Sequence, residues 1–138
     1  METTEKPLFQ KVLLVDDDEA SVFLSTTILN EMHAAQDIEV ARDGYIACGV
    51  IGEHNWPDII FLDINMPKMN GFDFLEHLRR TGDIIKTKIV MLSTSSRKED
   101  MDKAFSYKNV LGYVEKPLTE ETVRRIALTC CEADSLRA

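Results

Sequence analysis

The sequence predicts an α/β fold: a doubly wound, five-stranded parallel sheet with helices on both faces. Three observations predict it. Five short apolar runs are continuous rather than alternating, the mark of strands covered on both sides. They are "VLLV" (12–15), "IEVA" (38–41), "IIFL" (59–62), "IVML" (89–92) and "VLGYV" (110–114). Segments of helical spacing lie between them, so strand and helix alternate five times. Such alternation implies right-handed crossovers onto a parallel sheet. Finally, polar residues able to do chemistry stand directly after four of the five runs.

Each element has its own justification. After the first strand, residues 20–33 repeat apolar groups at Ala20, Phe23, Leu24, Ile28 and Met32. The second run is the most polar and suits an edge of the sheet. Residues 45–53 follow with Tyr45, Cys48, Gly49 and Ile51. Trp56-Pro57 leads into the third run, where it covers the bottom of the core. Residues 72–80 then offer Phe72, Leu75 and Leu78, and residues 97–107 offer Met101, Ala104 and Phe105. Ser96 and Glu99 have the S-x-x-E spacing of a capping box at the start of this fourth helix. The last helix, 120–133, carries Val123, Ile126, Ala127 and Cys130 inward. Thr119 is placed to cap it, and Glu120 and Glu121 suit the positive end of its dipole. Residues 1–10 read as an N-terminal tail, 11–132 as one domain and 133–138 as a C-terminal tail.

Composition narrows the function. The 138 residues suit one core. The net charge of −8 argues against a nucleic-acid partner, which needs clustered Lys and Arg. No apolar window is long enough to span a membrane. The start "METTEKPLFQ" lacks the apolar core of a signal peptide, so a cytoplasmic location is expected. Cys48, Cys130 and Cys131 form no CxxC, and His33, His54 and His77 are scattered. Thiols held in helices are expected, rather than a zinc site or a disulfide.

In an open parallel sheet the working site lies beyond the carboxyl ends of the strands. Asp16, Asp17 and Asp18 follow the first run, and Asp63 follows the third. Ser93 and Thr94 follow the fourth, and Lys116 follows the fifth. Carboxylates crowded in a dry cleft resist ionisation. A hard divalent cation removes that cost, and Mg2+ takes oxygen ligands from one or two carboxylates together with phosphate oxygens. An Asp beside such a cation can act as a nucleophile and become an aspartyl phosphate. A lysine supplies charge to phosphoryl oxygens, and a hydroxyl can donate to one of them.

Four motifs carry a resemblance: "LLVDDDE" (13–19), "IIFLDINMPKMNG" (59–71), "MLSTSS" (91–96) and "GYVEKP" (112–117). In this order they resemble the receiver domain of bacterial two-component response regulators, in its stand-alone, chemotaxis-regulator-like form. The resemblance covers residues 11 to about 132. It implies a flavodoxin-like strand order, 2-1-3-4-5. It implies phosphorylation of Asp63 by a histidine kinase or a histidine phosphotransfer protein. Asp17, Asp63 and the backbone carbonyl of Asn65 would hold Mg2+, with Asp16 acting directly or through a water. Ser93 and Lys116 would stabilise the phosphoryl group, and Thr94 is the alternative hydroxyl. Ser93 and Tyr113 would form the switch. The Lys116–Pro117 bond would be cis, and Pro67 and Gly71 would shape the loop after Asp63, Gly71 through a positive φ.

Two places depart from the family pattern. Ser93 stands where Thr is commoner, and "SYKNVLGY" (106–113) lacks the usual Gly-Ala and is one residue longer. The resemblance implies no enzyme beyond self-phosphorylation and self-dephosphorylation, and it names no downstream target. Competing classes are a receiver-like scaffold that is never phosphorylated and a haloacid-dehalogenase-type phosphatase. The second has D-x-D after its first strand but lacks its later acidic pair here. A calcium loop lacks its glycine, and no phosphate-binding glycine motif occurs.

Overall fold

A computed structural model of the chain describes residues 6–51 and 56–137, with side chains up to Cys130. His54 and the Cys131 side chain lie outside the described residues. The order is β1 (Phe9–Val15), α1 (Glu19–Glu31), β2 (Ala35–Ala41), α2 (Gly44–Val50), β3 (Ile59–Leu62) and α3 (Gly71–Thr81). A 3-10 turn at Asp83–Lys86 leads to β4 (Lys88–Ser93), α4 (Lys98–Phe105), β5 (Val110–Glu115) and α5 (Glu120–Arg137). All strand pairs are parallel, in the order β2-β1-β3-β4-β5. The predicted class and strand order are therefore those of the molecule, and β2 is an edge, as its polarity implied.

The continuous apolar runs divide their side chains between two cores. Leu13, Val15, Ile60, Leu62, Ile89 and Met91 face α2, α3 and α4. Val12, Leu14, Ile59, Phe61, Val90 and Leu92 face α1 and α5. Alternation along each strand makes this division automatic, and it favours an unbroken apolar stretch where a central strand is covered on both faces. Trp56 packs on the first core beside β3. Cys48 on α2 is a partly buried free thiol, and Cys130 on α5 is buried in the second core.

Several local expectations need correction. β1 begins at Phe9, inside the predicted N-terminal tail, and α5 continues to Arg137, through the predicted C-terminal one. Pairing explains the first: Phe9 lies opposite Ala35, so the ladder with β2 extends both strands toward their N-termini. Glu120 and Glu121, each paired with an arginine one turn on, support the start of α5.

The inward face of α1 is not the one that its large apolar residues suggest. Ser21, Val22, Ser25 and Leu29 are buried, whereas Phe23 is 67% exposed and Leu24 is 48% exposed. Apolar residues surround this helix, so periodicity alone does not choose a face. Two serines are drawn inward where its first turns meet the sheet.

The Ser96/Glu99 capping box does not form. Arg97 occupies the N-cap of α4 with no side-chain bond, and Ser95 does the local work by accepting from the Arg97 N–H. Instead, a capping box closes α3, where the Asn70 side chain accepts from the Asp73 N–H and Asp73 accepts from the Asn70 N–H. The Thr119 cap does form, accepting from the Thr122 N–H at 3.2 Å.

Gly71 is required for a different reason from the one expected. Its φ is not positive, but a Cβ there would lie 2.4 Å from the Asp63 carbonyl oxygen. Lys68 takes the left-handed conformation in that loop, with φ of 64°. Two methionines of this loop pack inward. Met66 is buried in the first core, and Met69 packs against it and lies over Gly44.

Candidate functional site

The parallel ladder positions the site. The Asp16 N–H donates to the Ala41 carbonyl, the Asp63 N–H to the Val15 carbonyl, and the Lys116 N–H to the Ser93 carbonyl, at 2.8–3.0 Å. Each residue is thus the next rung after its strand. The backbone of the sheet, its most rigid part, sets where these side chains begin.

Asp16 and Asp63 are buried and Asp17 is exposed, and an oxygen from each lies within 4.8 Å of the other two. The Lys116 ammonium lies 2.9 Å from Asp16 Oδ2 and 3.5 Å from Asp63 Oδ2. The Lys116–Pro117 bond is cis. Two buried carboxylates therefore share one ammonium, with a third carboxylate beside them. Burial pushes the Asp63 carboxyl up to about 6, and the charge of Asp16 pushes the same way. The charge of Lys116 and the Asn65 N–H, which donates to this carboxylate, oppose the rise. The all-oxygen donor set and its uncompensated charge fit a hard divalent cation such as Mg2+.

Ser93 is fully buried at the end of β4, and its hydroxyl oxygen accepts from the Ser95 N–H. Thr94 is exposed and lines a shallow groove with Leu24, Lys116 and Pro117. Tyr113 is partly buried on β5 and donates its hydroxyl to the Ser95 carbonyl at 2.8 Å. Asn65 is exposed in the loop after Asp63. The structure thus gathers Asp16, Asp17, Asp63 and Lys116 into one cluster. Ser93 and Tyr113 meet one step away, through Ser95.

Sequence reasoning missed two residues here. Ser95 joins Ser93, Tyr113 and α4, because its own hydroxyl donates to Asp100 on that helix. Ser21 donates its hydroxyl to Asp16 Oδ2 at 2.6 Å. Neither serine ends an apolar run. The one available signal was a serine on the first turn of a helix that begins beside an acid cluster.

Fold and site together define an α/β domain with an acidic, lysine-bridged pocket at the carboxyl end of a parallel sheet. The sequence profile described as "Response regulator receiver domain" matches residues 12–127, and the chain belongs to this family. Among related sequences, the probable methanogenesis regulatory protein FilR2 of Methanothrix harundinacea is 29% identical, over 83% of this chain and 76% of that protein. A protein-glutamate methylesterase/protein-glutamine glutaminase of Methylobacillus flagellatus is 34% identical over 78% of this chain, which spans only 29% of that protein. Among solved structures, a two-component response regulator from Cytophaga hutchinsonii superposes with a TM-score of 0.82 at 31% identity, covering 90% of this chain and 98% of that one. The chemotaxis response regulator CheY4 of Vibrio cholerae gives 0.73 at 29% identity, with 88% and 98% covered.

Proposed function

We propose that this domain accepts a phosphoryl group on Asp63 from a histidine kinase or a histidine phosphotransfer protein, with Mg2+ in the pocket, and signals through a phosphorylation-dependent change of its docking surface. One observation carries the reading: Asp63 is buried at the rim within reach of both Lys116 and the other two carboxylates. An Asp63 carboxylate oxygen attacks the phosphorus of a phosphohistidine. The new O–P bond forms as the N–P bond breaks, and the imidazole leaves with the electron pair and takes a proton. Lys116, the nearest cation, pairs with the transferred oxygens.

Asp16, Asp17, Asp63 and the Asn65 carbonyl are the groups that would hold Mg2+. When bound, the ion neutralises charge on the transferring group. The aspartyl phosphate carries a charge of about −2 where the carboxylate carried one negative charge, and it brings three strong acceptor oxygens. Ser93 turns toward it, and the Ser95 link passes the change to Tyr113 and α4. A downstream protein reads the altered surface. The chemistry belongs in the cytoplasm, where the phosphohistidine donor resides.

The test is incubation with acetyl phosphate and Mg2+, read by intact mass, for wild type and Asp63→Asn. Wild type gains one phosphoryl group and Asp63→Asn gains none. Equal labelling of both overturns the assignment of Asp63. Labelling of neither overturns the proposed chemistry and leaves the non-phosphorylated scaffold.

A further inference from the structure

The inward-facing serine of α1 leads to an inference that rests on the phosphoacceptor reading and deepens it. We infer that Ser21 is a positioning residue of the acid pocket: its hydroxyl fixes the Asp16 carboxylate for the cation and holds it when Lys116 turns to a phosphoryl group. Three donors meet this carboxylate. The Asp18 N–H donates to Oδ1 at 3.0 Å, and Ser21 Oγ and Lys116 Nζ share Oδ2 at 2.6 and 2.9 Å.

The three donors differ in mobility. The lysine is a point charge on a flexible stem and already reaches toward Asp63 at 3.5 Å. Ser21 has one short side chain fixed to the first turn of α1, and the Asp18 N–H is backbone. When Lys116 leaves, these two still hold Asp16, which would otherwise be a fully buried carboxylate with no fixed partner. A hydroxyl inside a helix commonly bonds back to its own helix. Thr26 on α1 does so, donating to the Val22 and Phe23 carbonyls. Ser21 instead reaches out of the helix to the pocket. Mg2+ demands near-ideal octahedral geometry, so the orientation of a nearby carboxylate matters. Partners that orient metal-binding groups typically change affinity by about 10- to 100-fold when removed.

The experiment compares wild type, Ser21→Ala and Ser21→Thr. Calorimetry measures Mg2+ binding, acetyl phosphate labelling is followed against Mg2+ concentration, and thermal unfolding is recorded in EDTA. Ser21→Ala is expected to weaken Mg2+ binding about tenfold and to raise the Mg2+ needed for half-maximal labelling by the same factor. Saturating Mg2+ restores its labelling, and Ser21→Thr, which keeps the hydroxyl, stays near wild type. The inference is overturned if Ser21→Ala binds Mg2+ as wild type does, even where its unfolding temperature falls. It is also overturned if Ser21→Thr fails as Ser21→Ala does, or if wild type takes up no Mg2+. Wild type that binds Mg2+ but is never labelled sinks the phosphoacceptor reading instead, while the calorimetry still judges Ser21.

Discussion

The two ends of the sheet differ in how they treat polar groups. At the amino end, a groove of about 380 Å³ runs between Phe9, Trp56, Asp58, Lys86 and Thr87. Polar groups there are matched locally. Thr87 donates its hydroxyl to the Pro57 carbonyl at 2.8 Å, and Asp58 accepts from the Gln10 N–H at 2.7 Å. Lys86 pairs with Asp83 at 3.0 Å and sits 5.2 Å from the Trp56 ring centre. At the carboxyl end the groove beside Lys116 is smaller, about 230 Å³, yet two buried carboxylates share its ammonium and a third carboxylate lies close to both. The larger hollow is therefore not the better site. Unresolved charge marks the working end, and cavity size does not.

The largest effect that tests this contrast comes from its two lysines. Lys116→Ala leaves Asp16 and Asp63 buried without their cation, and loss of a buried ionic partner costs about 3–5 kcal/mol. Denaturant unfolding should show that loss without metal and a partial recovery in Mg2+. Lys86→Ala removes a half-exposed pair and a ring contact, so the same assay should show about 1 kcal/mol or less, unaffected by Mg2+. Equal costs for the two lysines would erase the distinction between the ends.

Gly71→Ala comes next. Its methyl group would meet the Asp63 carbonyl, and overpacking of this kind costs about 1–3 kcal/mol. Chemical unfolding reads the cost, and on the proposed function acetyl phosphate labelling slows because the loop after Asp63 is displaced. The pH dependence of Asp63→Asn sharpens the picture further. The folded carboxyl titrates near 6, above its ordinary 3.8. Between these values the native state keeps a proton that the unfolded chain releases, so wild-type stability falls as pH rises through this window. Asp63→Asn lacks the penalty, and its advantage should grow from pH 4 to above pH 6, toward about 3 kcal/mol. Unfolding curves in EDTA check it, and an advantage that shrinks with rising pH contradicts it. The smallest effect belongs to the quiet end. Thr87→Val loses one hydrogen bond and should cost about 1 kcal/mol, the same at every Mg2+ concentration.

The contrast also explains what was legible in the sequence. Asp16 and Asp63 could be read because each is the first polar residue after a continuous apolar run, and Lys116 because it stands one residue past Glu115 at the end of the fifth, and the ladder places all three from there. Ser21 and Ser95 could not: their partners Asp16 and Asp100 are only five residues away, but the bonds exist only once each helix is set against the end of its strand. The face of α1 was misread for the same reason: a helix ringed with apolar residues turns whichever side its neighbours need. Ser96 and Glu99 had the spacing of a cap, but the helix begins one residue later and Ser95 takes the bond. Gly71 was recognisable as important, but its cause, a backbone oxygen eight residues earlier in the chain, appears only in three dimensions.

The contact between Gly44 and Met69 has a consequence for how such chains can diverge. A Cβ at residue 44 would lie 2.5 Å from Met69 Cγ, and the Gly44 N–H donates to the Met69 carbonyl. Positions 44 and 69 therefore behave as one unit of variation. A side chain added at the first must displace the second, or the loop after Asp63 shifts and carries Asp63 with it. A residue on α2, remote from the acid pocket in sequence, is in this way sterically coupled to the loop that carries Asp63.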